Sequence, residues 1–183
     1  MIRILIISLL LLSGSYSFAQ QRMLSKTGKI HFTSDAPLEL IEASSNSLKG
    51  ILEMPTRKFA FSVPIKSFQG FNSALQQQHF NENYMESDEF PKATFTGKII
   101  EKVDFSQPGT YQVRAKGKLN IHGVEQSRIF KVKLKVDDTG IHFSSKLTIP
   151  LSDHNISIPQ IVHQKIATEI DVDLKGTLLK PQQ

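Results

Sequence analysis

The amino-acid sequence predicts an all-β protein with eight or nine antiparallel strands and one short helix near residues 73–84. Apolar and polar residues alternate along most of the chain, which is typical of strands with one buried and one solvated face. Short turns containing Gly and Asp join neighbouring strands, and such short connections indicate antiparallel neighbours. One long segment, residues 72–91, departs from the alternation and carries helix-forming residues, and a second irregular stretch, residues 152–162, precedes the final strand.

The N-terminal residues predict export. Arg3 precedes an apolar run over residues 4–12, and the small residue Ala19 follows, as in a secretory signal peptide. The rival interpretation is a retained membrane anchor, but the apolar run is too short to span a bilayer comfortably. We therefore expect a periplasmic or secreted protein, with residues 1–19 as a cleaved signal peptide and residues 20–183 as a single domain.

The composition excludes several kinds of chemistry. The chain has no cysteine, which excludes thiol catalysis, iron–sulfur clusters and cysteine zinc sites, and an exported chain of this kind must be held by its own core. Its net charge is +5, and lysines recur at every second position, as in Lys131, Lys133 and Lys135. This pattern is typical of a solvated strand face, so we expect no nucleic-acid partner, although the row would favour weak contact with an anionic membrane surface.

Each strand is predicted from its own alternation, and the turns between strands support the assignment. Residues 137–140 link two strands tightly, and His122-Gly123 turns the chain after Ile121. Because one face of the resulting sheet is apolar, the sheet must pack on a second sheet or close on itself. The alternating segments are residues 29–33, 48–54, 58–66, 92–99, 109–121, 130–136, 141–147 and 166–175.

The non-alternating segment predicts the helix. Asn72 is a plausible N-cap, and Leu75, His79 and Phe80 share one helical face. The helix is expected over residues 73–84, followed by a turn, with Pro91 opening the next strand. Such a helix would cover one mouth of a barrel.

Small residues occupy several predicted inward positions, and two explanations of them stay open. They are Gly50, Ala93, Gly97, Ala115 and Gly117. Each glycine can mark a bulge or a close approach of another backbone. Alternatively, small inward residues keep a barrel interior open for a ligand. Together with many inward Phe, Leu and Ile residues, the set favours an apolar cavity that takes a hydrocarbon chain.

Three stretches, residues 29–50, 79–99 and 109–134, resemble the YceI-like family of periplasmic polyisoprenoid-binding proteins. The resemblance is carried by Phe-Pro before a Thr-Phe strand at residues 90–95, and by Gly-Lys-Leu-Asn-Ile-His-Gly-Val at residues 117–124. It implies an extended, lipocalin-like antiparallel β-barrel with a long isoprenoid chain in its lumen. Residues 151–156 depart from the family's Arg-x-Asp-Phe-Gly pattern, so the resemblance supports no head-group contact from that loop.

The alternation assigns a set of apolar and small side chains to the lumen. A single bulge would move part of a strand to the other face. The predicted ligand-binding residues are Phe32, Leu40, Phe61, Val63, Phe68, Phe80, Phe95, Val113, Ala115, Gly117, Leu119, Phe143 and Leu147.

Catalytic and metal-binding motifs are lacking in the sequence. No histidine pair has zinc-site spacing, and the mature chain has no Gly-x-Ser-x-Gly nucleophile elbow. Asp153, His154 and His163 come nearest to a cluster, but surface histidines are the default interpretation. We therefore expect no catalytic residues, no metal and no cofactor; an isoprenoid lipid or a quinone-like molecule would be a bound ligand.

The leading hypothesis is an exported, non-enzymatic protein that holds an isoprenoid-type apolar chain in its lumen for sequestration or transport. The alternative is a structural or interaction β-domain with a filled core. A third hypothesis, a lipid-modifying enzyme, needs polar groups inside the lumen, where the alternation places none. Enlarging Gly117 to Leu should separate the first two hypotheses, since it would block uptake in a carrier and cause misfolding in a filled core. The oligomeric state stays open, with a dimer among the alternatives.

Overall fold

The computed structural model describes residues 22–179, and in this range the chain forms eight β-strands. The predicted signal peptide and its cleavage site lie outside the described residues. The strands are β1 (Arg22–Asp35), β2 (Leu40–Glu53), β3 (Lys58–Pro64), β4 (Lys92–Ile99), β5 (Gly109–Ile121), β6 (Val124–Asp137), β7 (Gly140–Pro150) and β8 (Glu169–Leu178).

The strands form a closed antiparallel barrel in which each strand pairs with the next one along the chain. Closure is made by β1 and β8, where residues 29–33 pair with residues 171–175. The apolar faces of all eight strands then point to one interior, which decides between the barrel and the sandwich. The fold class predicted from the alternation is confirmed.

The predicted hairpin at His122-Gly123 is present as a two-residue turn between β5 and β6. Both residues have positive φ, 51° at His122 and 72° at Gly123, as a type I′ turn requires. In the β6–β7 turn, Asp137 Oδ1 accepts hydrogen bonds from the Thr139 amide at 3.0 Å and from its hydroxyl at 2.6 Å. The backbone conformation of His122-Gly123 therefore fixes the first turn, and the hydrogen bonds to Asp137 fix the second.

The predicted helix is confirmed as α1 (Ala74–His79), which continues into a π-helical turn at Phe80–Tyr84. Its N-cap is Ser73 and not Asn72, because the Ser73 hydroxyl accepts the Gln76 amide at 3.1 Å. The Asn72 side chain instead donates to the Leu40 carbonyl at 3.0 Å. No described helix has the length and apolarity needed to cross a membrane.

The connections between strands divide into two ends of the barrel. We call the end with residues 36–39, 65–91, 122–123 and 151–168 the helical end. There, Phe80 packs on the ring of Phe32 with a centroid distance of 5.4 Å and on Phe68 at 5.8 Å. Phe80 therefore carries the contact between the helical segment and the barrel, whereas Leu75 is 59% exposed and does not share that face.

The glycines on the predicted inward faces are explained by close approach. Gly97 of β4 lies opposite Gly117 of β5, and a Cβ built on Gly117 would collide with the Thr96 carbonyl. Gly50 lies opposite Phe61, whose ring occupies the space that a side chain at residue 50 would need. These three glycines therefore serve backbone and ring packing and do not hold the lumen open.

Candidate functional site

The barrel lumen contains an elongated apolar cavity to which all eight strands contribute. Of the 25 residues that line it, 22 are apolar, and the other three, Ser62, Thr94 and Ser145, carry only hydroxyls. No side chain of the lining is charged or titrates near neutral pH. The lumen can therefore solvate an apolar group by dispersion contacts, and it offers nothing to bind an ionic head group.

The cavity is long and narrow. Its lining on β5 extends from Val113 to Ile121, a rise of eight residue steps or about 26 Å along the strand. The cavity has a volume of about 170 Å³. This compares with an apolar hole of about 150 Å³ that accommodates benzene. The lumen as it stands therefore fits a short hydrocarbon segment.

Phenylalanine rings narrow the lumen. Phe61 of β3 and Phe143 of β7 reach from opposite walls and meet edge-on, with a centroid distance of 5.1 Å. Phe95 of β4 contacts Phe130 of β6 across the intervening strand β5, with a centroid distance of 5.2 Å. The Phe143 ring lies against Gly176 of β8, where a Cβ would come within 2.6 Å of it. The interior is thus part cavity and part aromatic core, and a longer chain requires these rings to turn.

Two small residues, Ala93 and Ala115, do line the cavity. Ala115 is buried on β5 between Ile99 of β4 and Phe130 of β6. A larger side chain at residue 115 would project into free lumen, in contrast to one at Gly117. The two explanations of the small inward residues therefore apply to different positions: close approach at the glycines, open space at the alanines.

The structure brings eight of the thirteen predicted site residues together on the cavity. Their contact with a ligand stays a prediction. These eight are Phe61, Val63, Phe95, Val113, Ala115, Leu119, Phe143 and Leu147.

The structure places the other five elsewhere. Phe32, Phe68 and Phe80 pack against one another at the helical end. Leu40 is 51% exposed on the outer face, because the inward phase of β2 begins at Ile41. Gly117 does not line the cavity, because a side chain at this position would point into the backbone of β4.

Sequence reasoning missed several lining residues on the last strand. Val172, Leu174 and Leu178 of β8 line the cavity, as does Ile30 of the paired strand β1. Their signal was present, since β8 alternates as regularly as β5 does. The alternation thus predicts the strand, but the predicted ligand-binding set includes none of its residues.

The histidine expected at the surface of the β7–β8 connection is in fact buried. His154 is 0% exposed, its Nδ1 donates to the Val124 carbonyl at 3.1 Å, and its Nε2 has no hydrogen-bond partner within residues 22–179. Burial lowers the pKa of His154, and the charge of Arg128 acts in the same direction. His163 is exposed with its Nδ1 2.5 Å from the Gln160 carbonyl, so it does not converge with His154.

His154 belongs to a group of polar side chains at the helical end, which we call the polar seam and define by Glu86, His122, Arg128, Asp153 and His154. His122 Nδ1 donates to the His154 carbonyl at 3.1 Å, and His122 Nε2 lies 2.6 Å from a Glu86 carboxylate oxygen. Arg128 of β6 pairs with Asp153. The seam joins the β5–β6 hairpin to the two long connections, and within residues 22–179 no three His, Asp or Glu side chains converge on a metal-sized site.

Comparison with known proteins agrees with this architecture. The family model of the YceI-like domain matches residues 17–178. The barrel is similar to a polyisoprenoid binding domain from Saccharophagus degradans implicated in plant cell wall breakdown, with a TM-score of 0.74, 16% identity, and coverage of 88% of this chain and 99% of that chain.

Two further solved structures share the fold. Burkholderia cenocepacia BcnA has a TM-score of 0.67 and 16% identity over 81% of this chain and 94% of its own. The Campylobacter jejuni YCEI protein has a TM-score of 0.54 and 18% identity over 75% and 81%. No curated protein matches the chain. The match of the family model over nearly the whole described barrel shows that the chain belongs to the YceI-like family.

Proposed function

We propose that this protein binds an isoprenoid-type apolar chain, or a quinone-like molecule with such a tail, inside the barrel. The observation that carries the proposal is the elongated cavity whose lining is apolar at 22 of 25 positions and free of charge. The likeness to a polyisoprenoid binding domain supports the same ligand class. Each methylene group removed from water contributes about 0.8 kcal/mol, so a chain can be held with few polar contacts.

The role of such a protein is sequestration or transport and not chemistry. The signal-peptide pattern of residues 1–19 supports a periplasmic or secreted location. The lining supplies no general acid, base or nucleophile beyond three hydroxyls, one of which, Ser145, already donates to the Lys131 carbonyl at 2.7 Å. Binding and release would therefore be the whole of the mechanism.

Loading a long chain requires the lumen to widen. The Phe61–Phe143 contact crosses the cavity, so the chain would enter as these rings rotate away from each other. The helical end supplies a second movable part, because α1 has no buried side chain and the π-helical turn that continues it packs on the barrel through Phe80. Ring rotation and opening of this segment together would give the passage a width that the closed state lacks.

The direct test enlarges Ala115 and measures uptake of a fluorescent isoprenoid analogue. Ala115→Leu fills free lumen and should lower affinity at least about tenfold, since it displaces about two ligand methylenes. Ala60→Leu on β3 is the matched control, because Ala60 alternates with the inward Phe59 and Phe61 and lies outside the lining. A folded Ala115→Leu protein that binds as tightly as wild type would contradict the proposal.

One observation favours the alternative of a filled structural core, namely the aromatic contact between opposite walls. In a filled core, Ala115→Leu overpacks the interior and costs about 1–3 kcal/mol of unfolding free energy, with no uptake by wild type. In a carrier the same change costs little stability and removes uptake. The unfolding and uptake measurements on one variant therefore separate the two functions.

A further inference from the structure

The outer face of the barrel carries a concave basic surface that is separate from the lumen. We define the lysine saddle by Lys29, Lys131, Lys133, Lys146 and Lys175, which lie around a depression of about 750 Å³ on β1, β6, β7 and β8. All five side chains are exposed. Among the residues that line the depression, Asp173 is the single carboxylate.

The strand register places the lysines of the saddle side by side. Lys133 of β6 lies opposite Ser144 of β7, and Ser144 lies opposite Lys175 of β8. Lys175 in turn lies directly opposite Lys29 of β1. Like charges at directly opposed positions of an antiparallel pair destabilise the sheet, and an anion bound between them removes that repulsion.

Most of this charge has no internal partner. Asp173 pairs with Lys146 at 3.1 Å. Within residues 22–179, the other four lysines of the saddle have no carboxylate within 4.0 Å, whereas Lys118 on the neighbouring strand β5 pairs with Glu125 and Lys135 further along β6 pairs with Asp137. The saddle therefore holds four uncompensated positive charges in a depression, an arrangement that attracts phosphate groups.

The saddle lies directly outside the cavity. Ser145 and Leu174 line both the depression and the lumen, so a single layer of sheet separates the two. The β6–β7 ladder also ends here: it pairs residues 133–137 with 140–144, although β6 begins at Val124 and β7 runs to Pro150. Next to this interruption, Ile129 is 55% exposed on the outer face.

We propose that the lysine saddle docks the protein on the phosphate groups of an anionic membrane, with the exposed Ile129 at the same surface. The choice of a membrane over a soluble anion rests on the proposed function, because an isoprenoid chain is exchanged with a bilayer and not with water. Docking by this face brings the part of the barrel wall where the β6–β7 ladder ends against the lipid. Four lysines near an anionic surface supply enough attraction for reversible binding.

Vesicle sedimentation tests the proposal with two variants of equal charge loss. The saddle variant carries Lys29→Gln, Lys131→Gln, Lys133→Gln and Lys175→Gln. The control variant carries the same change at four exposed lysines of β2–β4, Lys49, Lys58, Lys92 and Lys98. Wild type should bind phosphatidylcholine vesicles only when they contain phosphatidylglycerol, and the saddle variant should lose at least about tenfold in affinity, well beyond the control.

Equal loss in both variants, or equal binding of wild type to neutral vesicles, would overturn the proposal. So would saddle-dependent binding of inorganic phosphate by wild type without binding to anionic vesicles, because that result assigns the site to a soluble ligand. Uptake of a detergent-solubilised isoprenoid alcohol, measured without vesicles, tests the proposed function independently of membrane docking. Vesicle binding without uptake in wild type would contradict the carrier function and leave the docking site standing. Uptake without vesicle binding would contradict the docking site and leave the carrier function standing.

Discussion

At residue scale, Gly117 is a position where a very small change should have a large effect. A Cβ at residue 117 would collide with the Thr96 carbonyl and approach the Cα of Gly97 to 3.0 Å, and backbone atoms of a paired strand cannot move aside. We expect Gly117→Ala to lower the free energy of unfolding by about 3 kcal/mol in urea titrations. Gly109→Ala is the control, since its nearest contact would be the flexible Tyr111 side chain at 3.3 Å. Equal unfolding midpoints for the two variants would contradict the close approach.

The same residue shows where sequence reasoning stops. Alternation correctly places Ala115 and Gly117 on one face of β5, but it cannot tell whether that face meets open space or another backbone. The answer depends on how closely β4 approaches β5, which is a property of the folded pair. For this reason Gly117→Leu, the substitution that the sequence suggests, would cause misfolding in a carrier and in a filled core alike.

At the scale of elements, the β7–β8 connection contains the feature that was hardest to predict. His154 is fully buried in a 3₁₀ turn at Leu151–His154, beside the β5–β6 hairpin. Nothing in the local sequence separates it from a surface histidine, because its burial is produced by contacts with residues about thirty positions away. The strands and the helix, in contrast, were predictable because periodicity is a local property.

The burial of His154 predicts a pH effect on stability. Its pKa is lowered in the folded state, so the unfolded state binds more protons once the pH falls below the ordinary value of 6.5. The unfolding free energy should therefore decrease between about pH 7 and pH 5. His154→Gln should be less stable at neutral pH, since it loses the bond to Val124, and its stability should decline less over this range.

The exposed His163 provides the matched control. His163→Gln should keep the pH dependence of wild type in the same chemical denaturation series, because this ring is exposed and hydrogen-bonds to the nearby Gln160 carbonyl. An unchanged slope in the His154→Gln variant would show that its protonation is not linked to folding.

At the scale of the whole molecule, the same side chains form the hydrophobic core and line the cavity. The contact between Phe61 and Phe143 stabilises the barrel across its lumen and at the same time blocks it. Phe143→Ala should lower the unfolding free energy by about 3 kcal/mol and raise the rate of isoprenoid uptake, because it removes one side of this contact. Stopped-flow fluorescence with the same analogue measures the rate. Slower uptake by a folded Phe143→Ala protein would contradict the assigned role of the ring.

Closure of the barrel, and with it the existence of a lumen, was only partly predictable. The meander order follows from short turns such as His122-Gly123, which join strands that are neighbours in the sequence. Pairing of β1 with β8 joins residues that are about 140 positions apart, and no local pattern specifies it. The narrowing of the lumen is equally non-local, since it arises where rings from facing strands meet.

Native mass spectrometry of the protein, purified without detergent from cells that express the full-length sequence, tests the central claim most directly. We expect a population heavier than the polypeptide by the mass of one hydrocarbon-rich molecule, which organic solvent extracts and which the Ala115→Leu variant lacks. Retention of the same adduct by a folded Ala115→Leu protein would contradict the claim that the lumen binds the ligand. Detection of wild type only at the mass of the polypeptide, after incubation with isoprenoid lipid, would contradict it as well.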